Sequence, residues 1–163
     1  MSNFKRIRVE RLQSEFRSTQ CLSEVGEHET DLCVGARFGE EVFVLPEMGY
    51  LAVGIDLNPM MDNEFVLSGD EYSIEFSDGV FDKVFCYIFN HILDIEKALS
   101  EVARILRRRG ASIAHIHRVE PQEFDVRSWD SPENFAAIIG SFLECPPIIK
   151  CRSDFILAVF CLR

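Results

Sequence analysis

Short apolar runs alternate with helix-like patterns along most of this 163-residue chain, and that alternation constrains the fold more than any other feature. Strands separated by helix-length segments are joined by crossover connections, so they run parallel and are buried on both faces. The apolar runs predict strands at Leu32 to Gly35, Tyr50 to Ile55, Glu64 to Leu67, Lys83 to Phe89 and Ala111 to His117. Phe4, Ile7, Leu12 and Phe16 mark a leading amphipathic helix. A second helix runs from about Gly39 to Glu47, where Pro46 should kink or shorten it.

The clearest helix spans Asp94 to Arg109. Ile95, Ala98, Leu99, Val102, Ile105 and Leu106 recur at helical spacing between an Asp cap and Gly110. Arg107, Arg108 and Arg109 at its end complement the helix macrodipole, or alternatively bind an anion. Ser131-Pro132 opens a further helix with Phe135, Ile138, Ile139 and Phe142 on one face, and Cys145-Pro146-Pro147 stops it. Ile148 to Cys151 and Phe155 to Cys161 are too close together for a crossover and predict an antiparallel hairpin around Arg152-Ser153-Asp154. The expected fold is α/β and Rossmann-like: a seven-stranded, mostly parallel sheet with a C-terminal antiparallel hairpin and helices on both faces. The length suits a single domain over residues 1–163.

Seventeen Lys plus Arg against 27 Asp plus Glu give a net charge of -10, which argues against nucleic acid as a partner. Lys5, Arg6, Arg8, Arg11 and Arg17 gather near the start, but Glu10 and Glu15 interrupt them, as on a solvated helix face or a local docking strip. Cys21, Cys33, Cys86, Cys145, Cys151 and Cys161 form no C-x-x-C pair, and several sit within apolar runs, which implies free thiols in a reducing compartment. No apolar run reaches the roughly 18 residues of a membrane span, so a cytoplasmic location without membrane contact is expected. The 14 Phe leave room for a self-association surface.

Ligands of open parallel sheets bind beyond the carboxyl ends of the strands. Gly35-Ala36-Arg37-Phe38-Gly39 follows the first strand, Asp56-Leu57-Asn58-Pro59 ends the second, and Gly69-Asp70-Glu71 lies near the third. From Gly35 to Asp56 is about the interval that places an acid at the ribose of a nucleoside bound over the first turn. Phe76-Ser77-Asp78-Gly79-Val80-Phe81-Asp82-Lys83-Val84-Phe85 follows, then His91, then Glu101-Val102-Ala103-Arg104-Ile105-Leu106 and Gly110. Over Asp31 to Ile116, this series resembles the class I S-adenosylmethionine-dependent methyltransferases, particularly the small-molecule branch similar to the ubiquinone-biosynthesis enzymes.

The resemblance implies that Gly35, Ala36, Arg37 and Gly39 approach the methionine part of S-adenosylmethionine. It implies that Asp56 holds the ribose hydroxyls, Asp70 the adenine amino group, and Leu57 and Glu71 the flanks of the base, with Tyr87 near the sulfonium. Two departures bear on the cofactor's amino-acid end: Cys33 stands where the family usually has an acid, and Arg37 replaces a glycine. Arg37 could clamp the carboxylate while Glu40 or Glu41 takes the ammonium, or the turn has lost affinity.

Methyl transfer is an in-line displacement that needs alignment rather than a metal. His91 is the candidate base for an acceptor hydroxyl or amine, because imidazoles exchange protons near neutral pH; its alternative role is at the start of the following helix. His115 and His117 alternate onto one face and could join His91 at a zinc ion, or they are rim and core residues.

These residues predict a methyltransferase for an unidentified small-molecule acceptor. A homodimer or protein partner would complete a site that so short a chain leaves uncovered. The alternative is a non-catalytic methyltransferase-like binding or interaction module. A nicotinamide-binding domain is disfavoured by the absence of G-x-G-x-x-G and by the terminal strand pair.

Overall fold

The computed structural model describes residues 29–60, 64–117, 126, 129, 131–143, 148–151 and 155–161. The leading amphipathic segment therefore lies outside the described residues. Among the described residues, ten elements follow in order: β1 (Thr30–Val34), α1 (Glu40–Glu47), β2 (Leu51–Asp56), β3 (Val66–Ser68), β4 (Phe81–Cys86), α2 (Ile95–Ile105), β5 (Leu106–His117), α3 (Pro132–Leu143), β6 (Ile148–Cys151) and β7 (Phe155–Cys161). They build one Rossmann-like α/β sheet in the order β3-β2-β1-β4-β5-β7-β6. The first five strands pair parallel, with Leu32 beside Val53 on one side and Val84 on the other. β7 pairs antiparallel with β5, and β6 antiparallel with β7, while residues 152–154 between them lie outside the described residues.

Helices cover both faces because successive strand residues point to opposite sides. Leu32, Val34, Val84 and Cys86 face the larger core, shared with Leu99, Val102, Phe135 and Ile139 of α2 and α3. Cys33, Phe85 and Ile113 face the smaller core, under Val42, Val44 and Leu45 of α1. Pro46 lies within α1, and the helix ends one residue later after only eight residues, a shortening expected of proline.

The helix predicted to run to Arg109 stops at Ile105 instead. Leu106 is already extended and pairs with Phe81. The reason is a competing set of partners: Gly79 N and Val80 N donate to the carbonyls of Arg104 and Ile105 at 3.0 and 2.9 Å. Those last carbonyls are satisfied by the approach to β4, so further helical turns gain little. The arginine triplet therefore belongs to β5 and does not answer the macrodipole. Arg107 reaches the Asp82 carboxylate at 3.0 Å, and Arg109 adopts a left-handed φ of 67° before buried Gly110.

Under the other end of the sheet lies a charge cluster that sequence patterning did not reveal. The Lys83 ammonium pairs with Glu29 and lies 4.7 Å from the Tyr50 ring centroid, with Lys83 and Glu29 each only 4% exposed at the side chain. Asp31, directly beside Lys83 in the β1–β4 register, is fully buried, and neither carboxylate oxygen has a hydrogen-bond partner among the described residues. Burial pushes the Asp31 carboxyl up to about 7; Lys83 opposes this, whereas Glu29 and Asp82 reinforce it.

Candidate functional site

Strand order reverses between β1 and β4, and the cleft opens there. Gly35 takes φ 80° as the chain leaves β1, and its N–H and that of Ala36 both donate to Ile55 O, at 2.9 and 3.0 Å. A side chain at Gly35 would run into Ile88 Cγ2, so this glycine is required by close approach as well as by φ. Gly54 serves the same turn from below: a Cβ there would lie 2.6 Å from that of Ala36. The turn ends at Gly39, whose left-handed φ of 66° caps α1.

Asp56 ends β2 and ties the two loops above it. Its Oδ2 accepts from Arg37 N at 3.1 Å and its Oδ1 from Asn58 N at 2.8 Å. Each oxygen keeps a second lone pair for a further donor. Arg37 is anchored by Met60, whose N–H donates to Arg37 O at 2.9 Å and whose Sδ accepts from Arg37 Nε at 3.0 Å. On the opposite wall, Asp70 Oδ1 accepts from Tyr72 N at 2.8 Å in an Asx turn. The Glu71 carboxyl is raised by partial burial and by the nearby Asp70 and Asp56, against a lowering bond from its own backbone N–H.

Around a volume of about 380 Å3, the structure brings together Gly35, Arg37, Asp56, Leu57, Glu71, Tyr87 and His91, with Val34, Ile55, Asn58, Gly69 and Ile88. That is within the ~300–1,000 Å3 range of small-molecule sites. Ala36, Gly39 and Asp70 support the walls without lining the space, and Glu40 and Glu41 also lie outside the lining. Glu41 is buried against α1's core face. Cys33, fully buried, is a packing residue of the smaller core; burial first, then Glu41 and Asp31, push its thiol well up.

His91 is exposed at the mouth, with its N–H donating to Ile88 O at 2.7 Å. The cap of α2 is Asp94, which accepts from Lys97 N at 3.1 Å. The side chains of His115 and His117 lie outside the described residues, and no group of three metal-binding side chains occurs among those described.

Sequence reasoning missed how the wall carrying Asp70 and Glu71 is held. Arg104 donates to Ile74 O at 2.7 Å, Phe76 O at 2.8 Å, Asp78 Oδ1 at 2.8 Å and Glu101 Oε2 at 2.8 Å. Glu101 in turn accepts from Ile74 N at 2.8 Å. The Arg104 hydrogen bonds first, with this backbone bond and despite burial, hold the Glu101 carboxyl below its usual range. The E-x-x-R spacing was visible in the sequence; its two functional groups lie on one helix face because residues three apart are neighbours.

Fold and cleft together define a Rossmann-like class I methyltransferase. The methyltransferase-domain family matches residues 32–114, half of the chain, and the chain belongs to that family. Its cofactor is S-adenosylmethionine. Among solved structures, it is similar to a chain of the complex between the Haloferax volcanii Trm112 methyltransferase activator and a candidate methyltransferase, with TM-score 0.73, 18% identity, and coverage of 98% of this chain and 94% of that one. The Bacillus subtilis YcgJ protein follows at TM-score 0.71 and 17% identity, covering 93% and 97%. A SAM-dependent methyltransferase from Aquifex aeolicus gives 0.65 and 18%, covering 95% and 89%. A search of curated proteins gave no significant match.

The cleft's own chemistry fits that cofactor at the nucleoside end. A carboxylate with spare lone pairs stands at the end of β2, and Asp56 and Glu71 line the space together with Arg37. Beside the glycine turn, Arg37 is a charged group of the lining, and the side chain two places before Gly35 is the buried Cys33.

Proposed function

We propose that this chain transfers the methyl group of S-adenosylmethionine to a small molecule. The observation that carries the reading is the convergence of Gly35, Arg37, Asp56, Leu57, Glu71, Tyr87 and His91, from four separate loops, on one cleft. The cofactor supplies an electrophilic methyl on sulfur. Asp56 would accept from the ribose hydroxyls, Leu57 and Glu71 would flank the adenine, and Asp70, just behind the lining, would meet the adenine amino group only where the base reaches past Glu71. Gly35, with Ala36 and Gly39 shaping the turn, would admit the methionine part, whose carboxylate Arg37 would meet. Tyr87 would border the sulfonium, and His91 would take the proton that an acceptor hydroxyl or amine loses as its oxygen or nitrogen bonds the methyl carbon.

Phe38, Leu57, Met60 and Leu93 are exposed on the loops at the mouth. Such a surface supports completion of the acceptor side by a second subunit or a protein partner, and the Haloferax neighbour is itself from a complex with a methyltransferase activator. A second reading, a methyltransferase-like interaction module without catalysis, is favoured by buried Cys33 and by the engagement of Arg37 with Met60.

Calorimetric titration with S-adenosylmethionine and S-adenosylhomocysteine separates the two. The enzyme reading expects both to bind, with affinity lowered about tenfold or more in Asp56→Ala, since hydrogen bonds to a charged group contribute about 1.5–3 kcal/mol. Loss of binding in Arg37→Ala would identify Arg37 as the carboxylate clamp. Absence of any binding to the wild type would move the assignment to the module.

A further inference from the structure

Tyr72 spans the two walls of the cleft without lining it. On one side, its backbone N–H is held by the Asp70 carboxylate at 2.8 Å, and Ser73 N donates to Asp70 O at 3.1 Å, closing a tight turn directly beneath Glu71. On the other side, its hydroxyl oxygen accepts two backbone N–H groups, from Leu93 at 3.0 Å and from Asp94 at 3.2 Å. The half-buried ring packs against the larger core and carries the Lys97 ammonium 5.5 Å from its centroid.

The segment that receives these bonds is the one that carries His91. At its beginning, Ile88 rests against Gly35, and both His91 N and Ile92 N donate to Ile88 O at 2.7 and 3.1 Å. At its end, Leu93 and Asp94 precede α2, where backbone N–H groups have no acceptor within the helix. The loop is thus pinned at one end by the glycine turn and at the other by a phenol that belongs to the opposite wall.

We infer that Tyr72 is a positioning residue that couples occupancy of the Asp70–Glu71 wall to the placement of the loop bearing His91. This rests on the cofactor reading above, in which the adenine lies against that wall. A ligand that orders the Asp70 turn fixes the Tyr72 backbone; the rigid ring carries that order to the hydroxyl, which holds the N–H groups two and three residues beyond His91. A phenol is suited to this because its oxygen can accept twice while its ring has few rotamers to lose.

The test is amide hydrogen exchange at Leu93 and Asp94, followed by NMR with and without S-adenosylhomocysteine, whose binding is measured separately by calorimetry. In the wild type, saturating S-adenosylhomocysteine should slow both amides about fivefold or more. In Tyr72→Phe, which keeps the ring but not the acceptor, both should exchange about tenfold faster, and S-adenosylhomocysteine should change them less than about twofold while its affinity falls less than about threefold. A tyrosine that serves only packing would leave the ligand-induced protection intact.

Persistence of that protection in Tyr72→Phe overturns the inference, as does its absence in a wild type that binds the ligand. Failure of the wild type to bind at all is a separate calorimetric result that removes the cofactor reading and the coupling with it. Should Tyr72→Phe not fold, the wild type alone decides. Ligand must then slow Leu93 and Asp94 but not Gly79 and Val80, which are equally hydrogen-bonded yet sit at the far end of α2; equal slowing of all four refutes the coupling.

Discussion

Replacing Asp31 by Asn should make the protein less sensitive to alkaline conditions. In the folded chain, Glu29 and Asp31 lie with one ammonium, that of Lys83, in a region closed to water. Burial first, and then the crowding of two carboxylates around one cation, raises the Asp31 carboxyl, whose oxygens have no hydrogen-bond partner among the described residues. The Asp31 carboxyl therefore titrates at about 7 in the native state instead of 3.8. Between those values the native protein binds a proton that the unfolded chain has released, so its stability falls as pH rises through that window. At about 1.4 kcal/mol for each tenfold change in the equilibrium, the full effect by pH 8 approaches 4 kcal/mol, and relaxation around the site should reduce it to about 2–4 kcal/mol.

Urea unfolding between pH 5 and pH 8 measures this directly, read by the fluorescence of Trp129, the single tryptophan, whose ring lies 4.7 Å from that of Phe135. Wild type should lose about 1.5–2.5 kcal/mol more than Asp31→Asn across that interval, since the rest of the window lies below pH 5. Asp82 and Glu101 do not obscure the result, because both are held below their usual range and their contribution is lost only as pH falls through more acid values. For Asp82, burial acts upward but is outweighed by bonds from the Thr30 N–H and hydroxyl together with Arg107. A difference between wild type and Asp31→Asn that stays constant from pH 5 to pH 8 would refute the assignment of the proton to Asp31.

Gly35→Ala should cost about 1–3 kcal/mol from its left-handed φ and the collision with Ile88. Adding Ile88→Ala should recover part of that loss in thermal melts, and no recovery would mean that the backbone alone is responsible. Arg104→Lys should destabilise by about 2 kcal/mol in urea, since an ammonium cannot reach Ile74 O, Phe76 O, Asp78 and Glu101 together; a change under about 0.5 kcal/mol would show that the latch is dispensable.

The parallel core was legible in the sequence because strands buried on both faces read as continuous apolar runs, and Ile148–Cys151 and Phe155–Cys161 match their predicted strand limits. The end of α2 was not, because its pattern continues to Leu106 while the groups that cut it short, Gly79 N and Val80 N, come from another segment. The same reason hid Tyr72 and the Lys83 cluster: their partners lie about 20 to 50 residues away in sequence. Of the cleft lining, Gly35, Arg37 and Asp56 stand in the turns that follow strands, whereas Leu57, Glu71, Tyr87 and His91 were pointed to by the family resemblance. The fate of Cys33 could not, since which face a strand residue takes depends on register.

The sheet order also sets a schedule for the growing chain. β1 joins β2 on one side and β4 on the other, and the Thr30 N–H and hydroxyl are satisfied by Asp82, 52 positions later. A nascent chain that has released β1, α1 and β2 holds Leu32 and Val34 without α2 and α3, which share their core in the finished fold, and roughly 30 more residues must emerge before Phe81–Cys86 can dock. At about 5–20 residues per second, that interval lasts a few seconds. For that time the side of β1 that will meet β4 is an unpaired sheet edge, the kind of edge that finished proteins keep covered.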